Sequence, residues 1–196
     1  HQHSGLRREC LLAGYGMAEA SLAVSIAPFG ERLAKHYVHR DTLNCGDRIQ
    51  FVDPVHPKAT CFVDEGPAVV GIDLRIVDDA DRVLPAGSVG HVQIKGRSVT
   101  AGYFANPEVN RNAFCGEWFR TGDLGFVRNG HFVITGRVKD IVYVNGQNYY
   151  SHDFEHACED IPGLDSLVVI GHHDHARQEE SILAFIACNK KFTGAI

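Results

Sequence analysis

The sequence predicts a mixed α/β (α+β) chain, strand-rich before Arg137 and a small α+β unit after it. Three observations carry that prediction. Asn129-Gly130 lies between the β-prone runs Leu124–Arg128 and His131–Thr135, and Asn145-Gly146 lies between Ile141–Val144 and Gln147–Tyr150. Asn-Gly tolerates the positive φ of a two-residue hairpin turn, so each pair predicts a β-hairpin. After the second hairpin, Ser151 stands where it can cap a helix with Phe154, Ala157, Cys158 and Ile161 on one face. Pro162-Gly163 stops that helix, and the apolar runs Ser166–Ile170 and Ser181–Cys188 read as two strands.

The earlier elements follow in order. Glu19 to Ala27 is small and apolar almost throughout and is ended by Pro28, which predicts a buried helix. Lys35 to Gly71 mixes His, Asp and Pro with short apolar pieces and shows no clear period. Strands are legible at Ile72–Val77 and Val89–Lys95, joined through a polar turn at Asp78–Asp81. Asn106-Pro107-Glu108 opens a helix running to about Phe114: Asn caps, Pro suits the first turn, and Glu complements the dipole.

Composition narrows the function classes. With 196 residues, 44% of them hydrophobic, the chain can bury a core and is not a disordered segment. No apolar run reaches the ~18 residues of a membrane span, and the first residues lack a secretory signal pattern. Nineteen Lys and Arg against 24 Asp and Glu are scattered, so no basic stripe points to nucleic acid or a membrane surface. Cys10, Cys45, Cys61, Cys115, Cys158 and Cys188 lie far apart without a C-x-x-C pair. In a chain of this size they read as thiols of a reducing, cytoplasmic compartment. His172, His173 and His175 form a conspicuous cluster, but after an apolar strand they read as a solvated loop rather than a metal site.

The first hairpin has a consequence for function. With Asn129 and Gly130 in the turn, Asp123 falls opposite Gly136, so Gly122-Asp123 and Gly136-Arg137 reach the same open end. Ideal alternation puts Asp123 and Arg137 on opposite faces, and the glycines beside them permit a local departure. An acidic acceptor with an Arg donor suits a polyhydroxyl group such as ribose; a surface ion pair is the plain alternative.

These residues stand in the segments Trp118–Leu124 (WFRTGDL) and Thr135–Asp140 (TGRVKD). Upstream are Gly14–Ala20 (GYGMAEA), Gly90–Gly96 (GHVQIKG) and Thr100–Phe104 (TAGYF). In that order they resemble the signature segments of adenylate-forming enzymes: acyl-CoA synthetases, peptide-synthetase adenylation domains and luciferases. The sequence is most similar to fatty acyl-AMP ligases, in its Tyr-Gly-x-Ala-Glu-Ala, an insertion at Tyr37 to Asp64, and Asn145–Tyr150 followed by Asp153 and Glu155.

The resemblance implies that residues 1–138 are the C-terminal part of a large AMP-binding domain with a β-barrel-like subdomain. Residues 139–196 would be the hinge and first half of a small α+β lid domain. It implies ATP/AMP and Mg²⁺ as cofactors, with a fatty acid as substrate. The acceptor would be an acyl carrier protein's phosphopantetheine, or CoA in an acyl-CoA synthetase; a non-catalytic carrier-protein interaction remnant is a further alternative. Tyr15 would stack against adenine, Gly16 would be a nucleotide-binding residue beside it, Glu19 would ligate Mg²⁺, Asp123 and Arg137 would bind ribose, and Lys139 would be the hinge.

Neither a glycine-rich phosphate loop nor the family's C-terminal catalytic-lysine segment is present, so this chain alone is not expected to run the reaction. One face of the barrel part is expected to expose apolar surface. Departures from the family pattern are His91 where Glu is usual, and Asp64-Glu65-Gly66 where relatives carry small polar residues. Two carboxylates there would oppose phosphate unless they face solvent.

Overall fold

Strands β1 (Gly14–Gly16) and β2 (Ala23–Ile26) form an antiparallel hairpin, with Tyr15 opposite Ser25. This computed structural model describes Gly5 and residues 7–144, 147–158, 161–174 and 179–188. The helix predicted over Glu19–Ala27 is therefore replaced by a short 3-10 turn, Ala18–Ala20, and a strand. Ser21, at φ 67°, ends the right-handed run, and β-branched Val24 is completely buried on the strand that follows. A short apolar run does not by itself distinguish buried helix from buried strand, and here cross-strand pairing decides.

The stretch without a readable period contains β3 (Lys35–His39) and β4 (Ala59–Val63), an antiparallel pair joined by a long loop. Next, β5 (Ile72–Val77) and β6 (Gly90–Gly96) pair antiparallel, close to the predicted bounds. Helix α1 (Pro107–Ala113) begins as expected, the Asn106 side chain accepting from the Val109 amide at 3.3 Å. It leads into β7 (Phe114–Cys115), β8 (Trp118–Arg128) and β9 (His131–Arg137). The order β5-β6-β8-β7, with β9 also on β8, makes a five-stranded sheet. Asn129 (φ 51°) and Gly130 (φ 83°) are the two turn residues between β8 and β9, the twist-matched turn that the dipeptide predicted.

Beyond β9, β10 (Ile141–Val144) pairs antiparallel with β11 (Gln147–Tyr150), Val144 opposite Gln147. The predicted turn residues Asn145 and Gly146 lie outside the described residues. Helix α2 (Ser151–Ala157) follows, with the Ser151 hydroxyl donating to the Asp140 carbonyl at 3.1 Å. Strands β12 (Leu164–Asp174) and β13 (Glu179–Cys188) close the chain as a long antiparallel pair. β12 is longer than predicted and takes in His172 and His173, which sequence reading had placed in a loop.

The chain divides into two compact units, residues 1–135 and 136–196, and the division falls inside β9. The first is strand-rich and half-barrel-like. Tyr15, Val24, Ile72, Ile76, Val92, Ile94, Phe119 and Phe132 form its core, which joins β1 and β2 to the large sheet. Each such side chain contributes about 1.5–3 kcal/mol by leaving water. Gln93 is fully buried on β6, yet satisfied: Arg75 donates to its Oε1 at 2.9 and 2.7 Å, and its amide donates to Asp81. The second unit is α+β, with α2 and β10 packed against β12. No helix among the described residues is long and apolar enough to cross a membrane.

Candidate functional site

The first unit brings Tyr15 and Asp123 together across 108 residues of sequence, the Tyr15 hydroxyl donating to Asp123 Oδ2. A bulge in β8 makes this possible. His91 lies opposite Leu124 and Gln93 opposite Arg120, so Thr121-Gly122-Asp123 stand against Val92 alone. Thr121 pins the bulge: its hydroxyl donates to the Val92 carbonyl at 3.0 Å and accepts from the Asp123 amide at 3.1 Å. Bulges re-aim side chains, and this one accompanies an Asp123 that is only 1% exposed.

Tyr15 is itself buried, its ring 5.1 Å from that of Phe132. Tyr15 and Gly16, with Leu12, Leu22 and Ser25, line an open groove of about 260 Å³ along the β1–β2 hairpin. The Ser25 hydroxyl is buried there without a hydrogen-bond partner among the described residues. At one end of the same segment, Glu19 is half-buried, and its carboxylate accepts from the Tyr103 hydroxyl at 2.8 Å. The Glu19 carbonyl also accepts from the Thr100 amide at 2.7 Å, so the segments 14–20 and 100–104 are tied by main chain and side chain alike. The hydrogen bond to Glu19, with burial and its negative charge, holds the Tyr103 phenol above its ordinary range.

Arg137 and Lys139 belong to the second unit, where Arg137 ends β9 and Lys139 lies in the 3-10 turn Val138–Asp140, both exposed.

Asp64 is one of the two carboxylates that would oppose phosphate unless they face solvent. It does not face solvent: it is buried and accepts from His36 Nε2 and His131 Nδ1, each at 3.0 Å, and from the Gly66 amide at 2.8 Å. Burial pushes its carboxyl up, but the His36, Gly66 and His131 donors outweigh that and leave it below its ordinary value. Glu65 is raised instead, by burial and then by the charge of Asp64. Sequence reading missed Tyr103 as the partner of Glu19, although both stand in signature segments, and missed His36 and His131, which lie far from Asp64 along the chain without a local signal. His172 is exposed, His175 lies outside the described residues, and no three-ligand group includes this cluster among the described residues.

Comparison with known proteins bears on the family and the fold. No family model matches the chain. It is 35% identical over 177 residues to the long-chain-fatty-acid–AMP ligase FadD32 of Mycolicibacterium smegmatis, covering 80% of this chain and 28% of that protein. It is 32% identical over 177 residues to the 4-hydroxyphenylalkanoate adenylyltransferase of Mycobacterium marinum, covering 81% and 27%. Among solved structures it superposes on a fatty acyl-adenylate ligase, from a study of the Escherichia coli and Legionella pneumophila enzymes, with TM-score 0.81 at 25% identity. That match covers 97% of this chain and 34% of the other. It also superposes on the McyG A-PCP protein complexed with phenylalanyl-adenylate, with TM-score 0.74 at 26% identity, covering 98% and 31%. The chain thus spans about a third of the length of the curated relatives it matches.

Proposed function

The chain belongs to the adenylate-forming superfamily, alongside fatty acyl-AMP ligases, and from that premise we propose that the protein carrying it activates a fatty acid with ATP. A carboxylate oxygen of the acid attacks the α-phosphorus, the bond to the departing pyrophosphate breaks, and acyl-AMP results. A phosphopantetheine thiol then attacks the acyl carbonyl and releases AMP. The observation that carries this reading is the Tyr15–Asp123 hydrogen bond, which joins two separate signature segments at one buried carboxylate.

Asp123 accepts from the ribose hydroxyls. A carboxylate offers about four acceptor sites, and the Tyr15 hydroxyl fixes its orientation. The Tyr15 ring, with Gly16 beside it, borders the groove where adenine stacks, worth roughly 1–3 kcal/mol. Arg137 donates to the ribose, and Lys139 is the hinge residue at the start of a small domain. Glu19 fits a magnesium ion: it is a hard oxygen donor at a half-buried position, and Mg²⁺ takes one or two carboxylates plus waters and phosphate oxygens. When bound, the ion neutralises charge on the phosphates. The Tyr103 hydrogen bond orients the Glu19 carboxylate for that purpose.

The test is acid-dependent ATP–pyrophosphate exchange by the complete protein carrying this segment. Removing one charged hydrogen-bond acceptor costs about 1.5–3 kcal/mol, so Asp123→Ala should lower exchange about tenfold to a hundredfold. Exchange at the wild-type rate rejects the ribose role. The carrier-protein acceptor is tested separately, by comparing holo-carrier protein with free CoA as the thiol in the transfer step.

A further inference from the structure

Outside the groove, three different donor types converge on one point of the first unit. Cys45 Sγ, an Asp79 carboxylate oxygen and a His91 ring nitrogen all lie within 4.8 Å of one another. His91 Nε2 and Asp79 Oδ1 are already hydrogen-bonded at 2.8 Å. We propose that Cys45, Asp79 and His91 form a binding site for one divalent transition-metal ion of the zinc class, with a fourth, solvent-facing position for water.

The geometry suits such an ion. Tetrahedral coordination with zinc bonds of about 2.0–2.3 Å sets neighbouring ligand atoms roughly 3.5 Å apart. The three ligand atoms lie within 4.8 Å of one another, and the His91–Asp79 pair is at 2.8 Å, so the set is compact on that scale. A mixed sulfur, nitrogen and oxygen set selects zinc-like ions over magnesium or calcium, which prefer oxygen alone.

The three residues are presented by pinned backbone. The Gly46 amide donates to the Val89 carbonyl at 2.8 Å, and the Val89 amide donates to the Asp47 carbonyl at 2.9 Å, which fixes the Cys45 loop beside β6. Asp79 sits in the turn after β5. There the Asp78 side chain accepts from the Ala80 and Arg82 amides, both at 2.9 Å, and from the Arg82 guanidinium at 2.7 Å. His91 is in register opposite Val77 at the start of β6. Exposure rises from the half-buried Cys45 through His91, 30% exposed, to Asp79 at 85%, so the fourth side opens to water.

The Cys45 thiol donates to the Val77 carbonyl at 4.0 Å, at the end of β5 beside the turn that carries Asp79. A cysteine ligand binds as the thiolate, so metal binding displaces the thiol proton. The role that fits is a clip. Cys45 lies in the segment Tyr37–Asp64, and a metal would fasten it to the β5–β6 turn 34 residues away and to β6. It also gives a purpose to His91, which departs from the family pattern.

The experiment is titration of the metal-free, reduced 196-residue chain with Co²⁺, followed by displacement with Zn²⁺ under chelator competition. Cobalt bound to a thiolate shows a sulfur-to-metal charge-transfer absorption that histidine clusters elsewhere in the chain cannot produce. One equivalent giving that absorption is expected, abolished in Cys45→Ala. His91→Gln, which keeps the thiol, should weaken binding by more than about 100-fold, the upper end for losing an outer-shell partner. It decides the matter if Cys45→Ala fails to fold by circular dichroism. Zn²⁺, and not Mg²⁺, should raise the melting temperature of wild type but not of His91→Gln. No charge-transfer absorption, or one undiminished in Cys45→Ala or in His91→Gln, overturns the proposal. Neither readout involves nucleotide, so it stands or falls apart from the adenylation reading.

Discussion

Asp64 shows how a single carboxylate ties three segments at the cost of pH sensitivity. Its donors come from β3, from the start of β9 and from its own turn. Arg128 Nη1 lies 3.3 Å from His36 Nδ1, and since the guanidinium can only donate, Nε2 is the nitrogen whose proton goes to Asp64. Because the folded carboxyl titrates below its ordinary 3.8, Asp64 contributes stability that is complete above that value. That contribution is lost as pH falls through the lower folded value. Asp64→Asn should therefore cost about 2 kcal/mol near neutrality, where a charged acceptor is lost, and progressively less in acid. Urea unfolding of both proteins from neutral pH down to about pH 3 checks this; parallel curves, with no convergence in acid, contradict it. Nothing around Asp64 in the sequence announces its partners. Asp123, by contrast, was legible as a candidate because it stands inside a signature segment, although its bond to Tyr15 was not.

At the level of elements, legibility followed local chemistry. The Asn129-Gly130 hairpin, the Asn106-capped helix and the β5–β6 pair were readable because turn, cap and alternation signals are written in neighbouring residues. The β1–β2 hairpin and the β3–β4 pair were not, since their pairing partners supply the evidence from a distance. The bulge in β8 belongs to the same class: only register against β6 reveals it. Gly136 is a case where the sequence showed a motif glycine and the structure supplies the reason. A β-carbon built there would lie 2.5 Å from the Tyr150 ring, which is itself 2% exposed. The ring is locked in the second unit, so Gly136→Ala forces overpacking and should destabilise that unit by about 1–3 kcal/mol. Hydrogen exchange of amides in β10–β13 should accelerate while amides of β5 and β6 keep their protection. Uniform protection in the variant would mean that Tyr150 can move aside.

At the scale of the whole molecule, the expected apolar surface has a location. Leu12, Leu22 and Ile26 are 50%, 77% and 40% exposed, and all three line the groove beside Tyr15. Beneath it the Ser25 hydroxyl is buried without a hydrogen-bond partner among the described residues. Contiguous apolar surface of this kind is scarce on proteins that remain monomeric, and burial of a leucine side chain yields about 1.5–3 kcal/mol. Concentration therefore decides the state of the isolated chain: mass action favours covering the groove with a second copy as protein concentration rises. Light scattering should show an average mass that climbs above 21.6 kDa with concentration. Leu22→Ser, the most exposed of the three, should move that rise to higher concentration, because it removes apolar area without disturbing the buried Tyr15–Phe132 contact. A chain that stays at monomer mass throughout, or a variant that associates as readily as wild type, would place the driving surface elsewhere. The exposed Val168, Ile170 and Phe185 on β12 and β13 would be the next to substitute.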